Sequence, residues 1–125
     1  MKQIFSDKAP AALGPYCHAI VHGDMVFCSG QIPLDPETME MVGANIEDQT
    51  ARVMKNIEIV LAEVGTTLNK IVKATIFLGS MDDFMGMNKV YEEYLGGHKP
   101  ARSAFEVGAL PKDALVEIEC IAVIE

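Results

Sequence analysis

The sequence of 125 residues is short of basic residues, cysteines and long apolar runs, and it has no tryptophan. Its 10 Lys and Arg residues are outnumbered by 18 Asp and Glu residues, which gives a formal net charge of -8. An acidic surface repels phosphate backbones and anionic lipids, so nucleic acids and membrane surfaces are poor candidate partners. No stretch has the length of a transmembrane helix or the apolar core of a signal peptide. We therefore expect a cytoplasmic protein with a single domain over residues 1–125.

Motifs for metals and organic cofactors are also missing. Cys17, Cys28 and Cys120 lie far apart among apolar residues, which is typical of reduced, buried thiols. His18 and His22 have the spacing of a helical metal pair, but they fall in a predicted strand and turn without a Cys or carboxylate ligand at metal-ligand spacing. Dinucleotide-binding, Walker and Gly-x-Ser-x-Gly motifs do not occur. The sequence therefore predicts neither a metal site nor a cofactor.

Apolar periodicity predicts two helices among several strands. Asn45 caps the first helix, and Ser80 with Asp83 opens the second by the logic of a capping box. The strand at 71–78 is predicted to bury one apolar face, formed by Val72, Ala74, Ile76 and Leu78. The other predicted elements are an edge strand within 1–5, a hairpin over 17–29, and two strands around a turn at 110–114.

Two helices are too few to cover both faces of the predicted sheet. The last strand, 115–124, is largely apolar on both faces toward its C-terminal end. An uncovered apolar face marks a contact surface, because isolated soluble proteins rarely expose one. The sequence therefore predicts an α+β domain, with a mixed sheet and both helices on one face, that forms an obligate homo-oligomer.

The segment 100–119 carries the main functional hypothesis. Arg102 stands on the first of its two predicted strands, and Glu117 and Glu119 stand on the second. A guanidinium presents a rigid fork of donors that matches a carboxylate, and a nearby carboxylate can deprotonate water. The pattern predicts a small enzyme site that holds a substrate carboxylate on Arg102. The alternative interpretation is an ion pair at a subunit interface between Arg102 and one of the glutamates.

Four further residues are candidates for the same site. Tyr16 follows a loop fixed by proline and glycine, and this position suits a packing residue and a ligand contact equally well. Ser29 and Gly30 end a strand; they let backbone approach a ligand or form an ordinary turn, which is the favoured interpretation. Asn88 lies on the apolar stripe of the second helix, and we expect its amide to bind a neighbouring loop rather than a ligand.

Together these motifs resemble the YjgF/YER057c/UK114 family, and within it the RidA group of reactive intermediate imine deaminases. The resemblance runs in order from Ala9 to Val123. It is carried by Gly-Pro-Tyr at 14–16, Ser-Gly-Gln-Ile-Pro at 29–33, Asn88, Pro-Ala-Arg-Ser at 100–103, Leu-Pro-Lys-Asp at 110–113 and Val-Glu-Ile-Glu at 116–119. The resemblance implies a chorismate-mutase-like fold and a homotrimer in which three sheets close a central β-barrel, with a site at each subunit interface.

The resemblance also implies an activity, namely hydrolysis of 2-iminopropanoate and 2-iminobutanoate to 2-oxo acids and ammonia. These imines arise when pyridoxal-phosphate dehydratases act on serine or threonine. By this resemblance Arg102 binds the substrate carboxylate and Glu117 deprotonates the attacking water, without a metal or cofactor. The substrate-binding residues that it implies are Tyr16, Ser29, Gly30, Asn88 and, through its backbone, Ala104.

Two positions depart from the family pattern. Ala104 stands where many members have cysteine, so only a mechanism that uses the backbone there is open to this chain. Lys99 replaces a common aromatic residue and adds a cation. Glu119 shares a predicted face with Glu117, about 7 Å along the strand, so spacing alone does not select the base. The alternative function is a non-catalytic trimer that senses 2-oxo acids, whereas the acidic charge disfavours a nuclease.

Overall fold

A computed structural model describes residues 1–125 and contains one six-stranded sheet with two α-helices. The strand order is β1-β2-β3-β6-β4-β5; β4 and β5 are parallel, and the other neighbouring pairs are antiparallel. The predicted α+β class with a mixed sheet is therefore confirmed. In chain order the elements are β1 (Lys2–Ile4), β2 (Ala19–His22), β3 (Met25–Gln31), α1 (Ile46–Glu63), β4 (Ile71–Leu78), α2 (Phe84–Leu95), β5 (Ala101–Glu106) and β6 (Val116–Val123).

Local capping groups set where both helices begin. The Asn45 side chain accepts a hydrogen bond of 2.8 Å from the backbone N–H of Asp48, which satisfies a free donor in the first turn of α1. Ser80 accepts from the N–H of Asp82 at 3.1 Å and thereby caps a short 3₁₀ turn that leads into α2. The start of α2 is thus fixed by its own sequence, which matters because α2 carries part of the candidate site.

The core lies between the helices and one face of the sheet. Strand side chains alternate between faces, so every second residue of β4 and β6 points toward the helices and is buried. Burying one large aliphatic side chain stabilises a fold by roughly 1.5–3 kcal/mol, so this layer dominates the stability. Its buried residues are Val53, Met54, Ile57, Val60 and Leu61 of α1, Ala74, Ile76 and Leu78 of β4, Met87, Tyr91 and Leu95 of α2, and Val116, Ile118, Cys120 and Ala122 of β6.

The prediction that Val72 joins this core is wrong. The pairing of β4 with β6 shifts register between Ile71 and Lys73, as an inserted residue does in a β-bulge. Ile71 is therefore buried in place of Val72, which is 42% exposed. From Ala74 onward the expected alternation holds.

The opposite face of the sheet is not covered by the rest of the chain. Phe27 and Phe105 are 43% and 48% exposed there, and the ring centroids of Phe77 and Phe105 lie 6.0 Å apart. Glu117 and Glu119 stand on the same open face, because the β6 residues between and beside them are buried against the helices. The oligomer that would cover this face stays a prediction.

Two of the three cysteines form a buried pair. Cys28 on β3 lies directly opposite Cys120 on β6, and both thiols are buried. A hydrogen bond with Cys28 and then burial raise the pKa of the Cys120 thiol, so this sulfur stays protonated and unreactive. The predicted burial is confirmed for this pair, whereas Cys17 is only half-buried. Neither helix combines the length and the apolar character that crossing a bilayer requires.

Candidate functional site

Arg102 is held by contacts with α2. It lies on the edge strand β5 opposite the buried Ala74, so its side chain points to the helix side of the sheet. Its Nη1 donates a hydrogen bond of 2.6 Å to Oδ1 of Asn88. Its guanidinium carbon lies 5.2 Å from the ring centroid of Tyr91 and 5.6 Å from that of Phe84, within range of cation–π attraction. Arg102 is half-buried and not extended into solvent.

The three residues that contact Arg102 share one face of α2. Phe84, Asn88 and Tyr91 are separated by four and three residues, which places their side chains in line along a helix. The expected role of Asn88 in fixing a loop is therefore wrong, because its amide oxygen accepts from the guanidinium instead. A polar residue within an apolar stripe finds its partner on the neighbouring strand.

A cavity of about 380 Å³ opens beside the guanidinium. Asn88 uses one of the five N–H donors of Arg102, and the Nε and Nη2 groups have no partner within the chain. His98 is tied to the wall of this cavity, since its Nε2 donates to the carbonyl of Ile71 at 2.7 Å. The lining residues are Asn88, Tyr91, Glu92, Leu95, Gly97, His98, Lys99, Pro100 and Arg102.

Glu117 lines a second cavity, of about 470 Å³, together with three other predicted site residues, Tyr16, Ser29 and Gly30. Burial raises the pKa of the Glu117 carboxyl, and the negative charge of Glu119 raises it further. A carboxylate with a raised pKa is a better proton acceptor, which suits a general base. This cavity also contains Glu119 and part of the loop at 10–18.

Gly30 makes room for the carboxylate of Glu117. A β-carbon built on Gly30 would lie 2.9 Å from Cδ of Glu117 and 3.1 Å from its Cγ, so the Glu117 side chain would have to shift. The register between β3 and β6 shifts over Cys28–Gln31, which brings the Gly30 backbone against the β6 side chain. Ser29 and Gly30 lie within β3 at this bulge, so the favoured interpretation of them as an ordinary strand-ending turn is wrong.

Hydrogen bonds to the backbone organise the loop at 10–18, which forms part of the wall of the Glu117 cavity. The Ser29 hydroxyl donates to the carbonyl of Cys17 at 2.7 Å, so its oxygen can act toward the cavity only as an acceptor. His18 is 3% exposed; its Nδ1 accepts from the N–H of Ser6 at 3.0 Å and its Nε2 donates to the carbonyl of Pro10 at 2.7 Å. These bonds engage both ring nitrogens of His18, which is therefore a structural residue. Tyr16 is 49% exposed at the cavity mouth.

Arg102 and Glu117 do not meet within one chain. β4 lies between β5 and β6, and Arg102 lies on the helix side while Glu117 lies on the open face. Within one chain, therefore, the two strands do not bring the arginine and the carboxylate together, and a site at a subunit interface stays a prediction. The parallel strands β4 and β5 need a crossover connection, and α2 provides it. β5 therefore lies at the edge of the sheet, and β6 pairs with the other side of β4. The only ion pair of the chain joins Lys89 and Glu47.

Other site predictions have mixed outcomes. Ala104 lies on the same side of β5 as Arg102, packs against the core and lines neither of the two cavities. Phe84 and Tyr91 were not predicted as site residues, because aromatic residues at helical spacing indicate only a core-facing stripe. The asparagine within that stripe was the one signal that the face also meets a polar group.

The chain matches known proteins over nearly its whole length. The family model that matches residues 6–124 is described as endoribonuclease L-PSP. A RutC family protein of Pyrococcus abyssi is 53% identical over 119 residues, which are 95% of this chain and 94% of that protein. The chloroplastic Reactive Intermediate Deaminase A of Arabidopsis thaliana is 45% identical over 119 residues, which are 95% of this chain and 64% of that longer protein.

Solved structures show the same fold. The crystal structure of Escherichia coli TdcF with bound serine matches with a TM-score of 0.94 at 38% sequence identity, and the match covers 100% of both chains. The order of the sequence motifs, the family model and this structural agreement lead to one conclusion. This chain belongs to the YjgF family, whose model is described as endoribonuclease L-PSP.

Proposed function

We propose that this protein is a cytoplasmic enzyme of the RidA group that hydrolyses 2-imino acids, such as 2-iminobutanoate and 2-iminopropanoate, to 2-oxo acids and ammonia. The observation that carries this proposal is the fixed guanidinium of Arg102, which keeps donors free beside a cavity. A rigid fork with free donors suits a small carboxylate, because both oxygens can be bound at once. No metal or organic cofactor takes part in the proposed reaction.

The proposed site forms between copies of the chain. The exposed aromatic residues of the open face and the unpaired edge of β5 favour association into the homotrimer with a central barrel that the resemblance implies. In such an assembly the Arg102 cavity of one copy meets the Glu117 cavity of its neighbour. Each interface then combines a carboxylate-binding group from one chain with a base from the next.

The proposed reaction needs few groups. Arg102 binds the substrate carboxylate, and backbone groups near Ala104 hydrogen bond the imine nitrogen. Glu117 takes a proton from water as the water oxygen attacks the imine carbon. Glu117 then passes this proton to the nitrogen of the carbinolamine. The C–N bond breaks as ammonia leaves, and the carbinolamine hydroxyl gives its proton back to Glu117 as the C=O bond of the 2-oxo acid forms. A protonated imine is already electrophilic, so positioning the imino acid and the attacking water supplies much of the rate acceleration.

The names of the relatives agree only in part with this proposal. A deaminase of reactive intermediates and a serine-bound relative favour small amino-acid-derived ligands. The description endoribonuclease L-PSP would instead require binding to RNA. A net charge of -8 opposes a polyanion and leaves small acids as the better match for one isolated guanidinium.

A complementation assay tests the activity and the shared site together. 2-Iminobutanoate is generated in situ from threonine with a dehydratase, and its decay is followed with native protein, Arg102→Ala and Glu117→Ala. We expect each variant to be inactive alone. After unfolding and joint refolding of an equal mixture, about a quarter of the native activity should return, because a quarter of random interfaces pair an intact arginine with an intact glutamate.

Each failure has its own meaning in this assay. Native protein that binds 2-oxobutanoate without accelerating imine decay would support the non-catalytic sensor instead. Active single variants would show that the assigned residues are wrong. A mixture that stays inactive, although native protein treated in the same way regains its activity, would contradict a site shared between neighbouring chains. Loss of activity in Glu119→Ala, with retention in Glu117→Ala, would transfer the role of base to Glu119.

A further inference from the structure

We propose that Phe84 and Tyr91 are positioning residues that fix the plane of the Arg102 guanidinium for carboxylate binding. This inference rests on the proposed role of Arg102 as the carboxylate anchor. It assigns a site role to two aromatic residues of α2 that the sequence pattern describes only as part of an apolar stripe.

One hydrogen bond is insufficient to orient the guanidinium. The bond from Nη1 to Asn88 fixes one nitrogen, but the planar group can still turn about that contact. A turned fork would present one donor instead of two to an incoming carboxylate, and bidentate binding depends on both. A second restraint on the plane of Arg102 is therefore needed.

The two aromatic rings supply this restraint. The guanidinium carbon lies at similar distances from the two centroids, 5.2 Å for Tyr91 and 5.6 Å for Phe84. Aromatic faces attract guanidinium groups, which also stack on them through their flat π system. Asn88 lies between these rings along the helix, so α2 contacts the cation with one amide and two rings. The remaining donors stay free toward the cavity.

The support behind the rings is rigid. Tyr91 is only 7% exposed and belongs to the main core cluster, so its ring cannot turn away without disturbing the packing. Phe84 follows the turn capped by Ser80 and packs against the same core. The guanidinium is thus preorganised by a helix whose position is fixed independently of any ligand.

The face of the Tyr91 ring, and not its hydroxyl, is the group in use. The hydroxyl oxygen is buried and has no hydrogen-bond partner among the atoms of the protein. Burial also raises the pKa of this phenol, while the nearby charge of Arg102 lowers it, so it stays neutral. Phenylalanine should therefore replace Tyr91 in this role, whereas an aliphatic residue should not.

Titration calorimetry with 2-oxobutanoate tests the inference without relying on turnover. We expect Tyr91→Leu and Phe84→Leu to raise the Kd by about tenfold, the effect of losing one partly desolvated cation–π contact. Tyr91→Phe should stay within about twofold of the native Kd. Tyr94→Leu is the matched control, because Tyr94 is a partly buried aromatic residue of the same helix without a contact to Arg102.

A second ligand separates positioning from general damage. Native protein should prefer 2-oxobutanoate over its amide, 2-oxobutanamide, and this preference should shrink in Tyr91→Leu but not in Tyr94→Leu. Equal losses in both variants, or an unchanged preference in Tyr91→Leu, would overturn the positioning role. Native protein that does not bind 2-oxobutanoate at all would instead overturn the proposed carboxylate site of Arg102, and this inference with it.

Discussion

The carboxylate of Glu117 packs directly against the backbone of Gly30. The bulged end of β3 allows this approach, and no β-carbon could be added at Gly30 without moving the β6 side chain. The position of the candidate base therefore depends on the lack of a side chain at Gly30, which leaves the space that the carboxylate occupies.

Gly30→Ala should displace this carboxylate and reduce activity while the fold persists. We expect kcat to fall by at least roughly tenfold, because a misplaced base loses part of the 10²- to 10⁴-fold contribution of general base catalysis. Steady-state kinetics on imine decay give kcat, and circular dichroism reports the fold. Gly108→Ala is the control, since nothing lies within 4 Å of a β-carbon at Gly108. Equal kcat values in both variants would separate the packing at Gly30 from catalysis.

The acid side of the pH profile should report the ionisation of Glu117. Burial and Glu119 raise its pKa, and a base must be ionised, so activity should fall as the pH drops through that raised value. Glu119→Gln removes one of the two causes and should move this limb to lower pH. The measurement is kcat against pH, after subtraction of the spontaneous rate. A limb that does not move would indicate that Glu119 has no influence on the base.

The same raised pKa predicts how stability depends on pH. The folded protein binds a proton at Glu117 more readily than the unfolded chain, so the ionised carboxylate disfavours folding at neutral pH. This penalty begins to shrink as the pH falls to the folded-state pKa, and it is gone once the pH is below the lower pKa of the unfolded chain. Glu117→Gln should therefore be inactive but no less stable than native protein at pH 7, as measured by urea unfolding. A clear loss of stability would mean that the charged form is favoured by the fold.

Asn88→Asp should weaken carboxylate binding although it keeps an oxygen in place. Aspartate can accept the same hydrogen bond from Arg102, but its charge neutralises the guanidinium and repels an anionic ligand. We expect the Kd for 2-oxobutanoate to rise by about tenfold or more, since paired charges within hydrogen-bond distance couple by more than 1 kcal/mol. Calorimetry measures this Kd, and Asn88→Ala shows how much of the effect belongs to the lost amide. Affinity that is unaffected by the new charge would place the ligand away from Arg102.

Lys99 should influence which acid is preferred. It lines the same cavity as Arg102 and has no hydrogen bond or ion pair within the chain, so it can attract a second carboxylate. Lys99→Gln should weaken binding of 2-oxoglutarate by about threefold and leave that of 2-oxobutanoate nearly unchanged, as for one exposed charge pair. Competition titrations with the two acids provide the comparison. Parallel changes for both ligands would indicate a general effect of charge.

Much of the fold follows from local sequence signals, because caps, turns and apolar periods act over a few residues. The Asn45 cap and the apolar face of α1 are examples. The exposure of Val72 could not be predicted in this way. A β-bulge depends on how two strands pair, and the alternation of apolar residues along one strand does not reveal it. The placement of Arg102 relative to Glu117 could not be predicted from local signals either, because strand order is a property of the whole chain.

Residue types and their neighbours marked the candidates for the site, and the family resemblance assigned their roles. Arg102 and Asn88 appeared as separate signals, a charged residue on a strand and an amide within an apolar stripe. Their hydrogen bond could not be predicted, because it depends on how α2 crosses from β4 to β5. The aromatic partners of Arg102 could not be predicted either. A ring that packs in the core and a ring that faces a cation have the same helical spacing in the sequence.

The placement of the guanidinium and the carboxylate on opposite sides of the sheet has a consequence for the freshly synthesised chain. Under the proposed function, a solitary copy holds half of each of two sites and cannot turn over substrate. The activity per milligram of protein should then decline on dilution, because dilution dissociates the assembly into inactive single chains. Expression level would thereby set both how much of this protein is present and what fraction of it works.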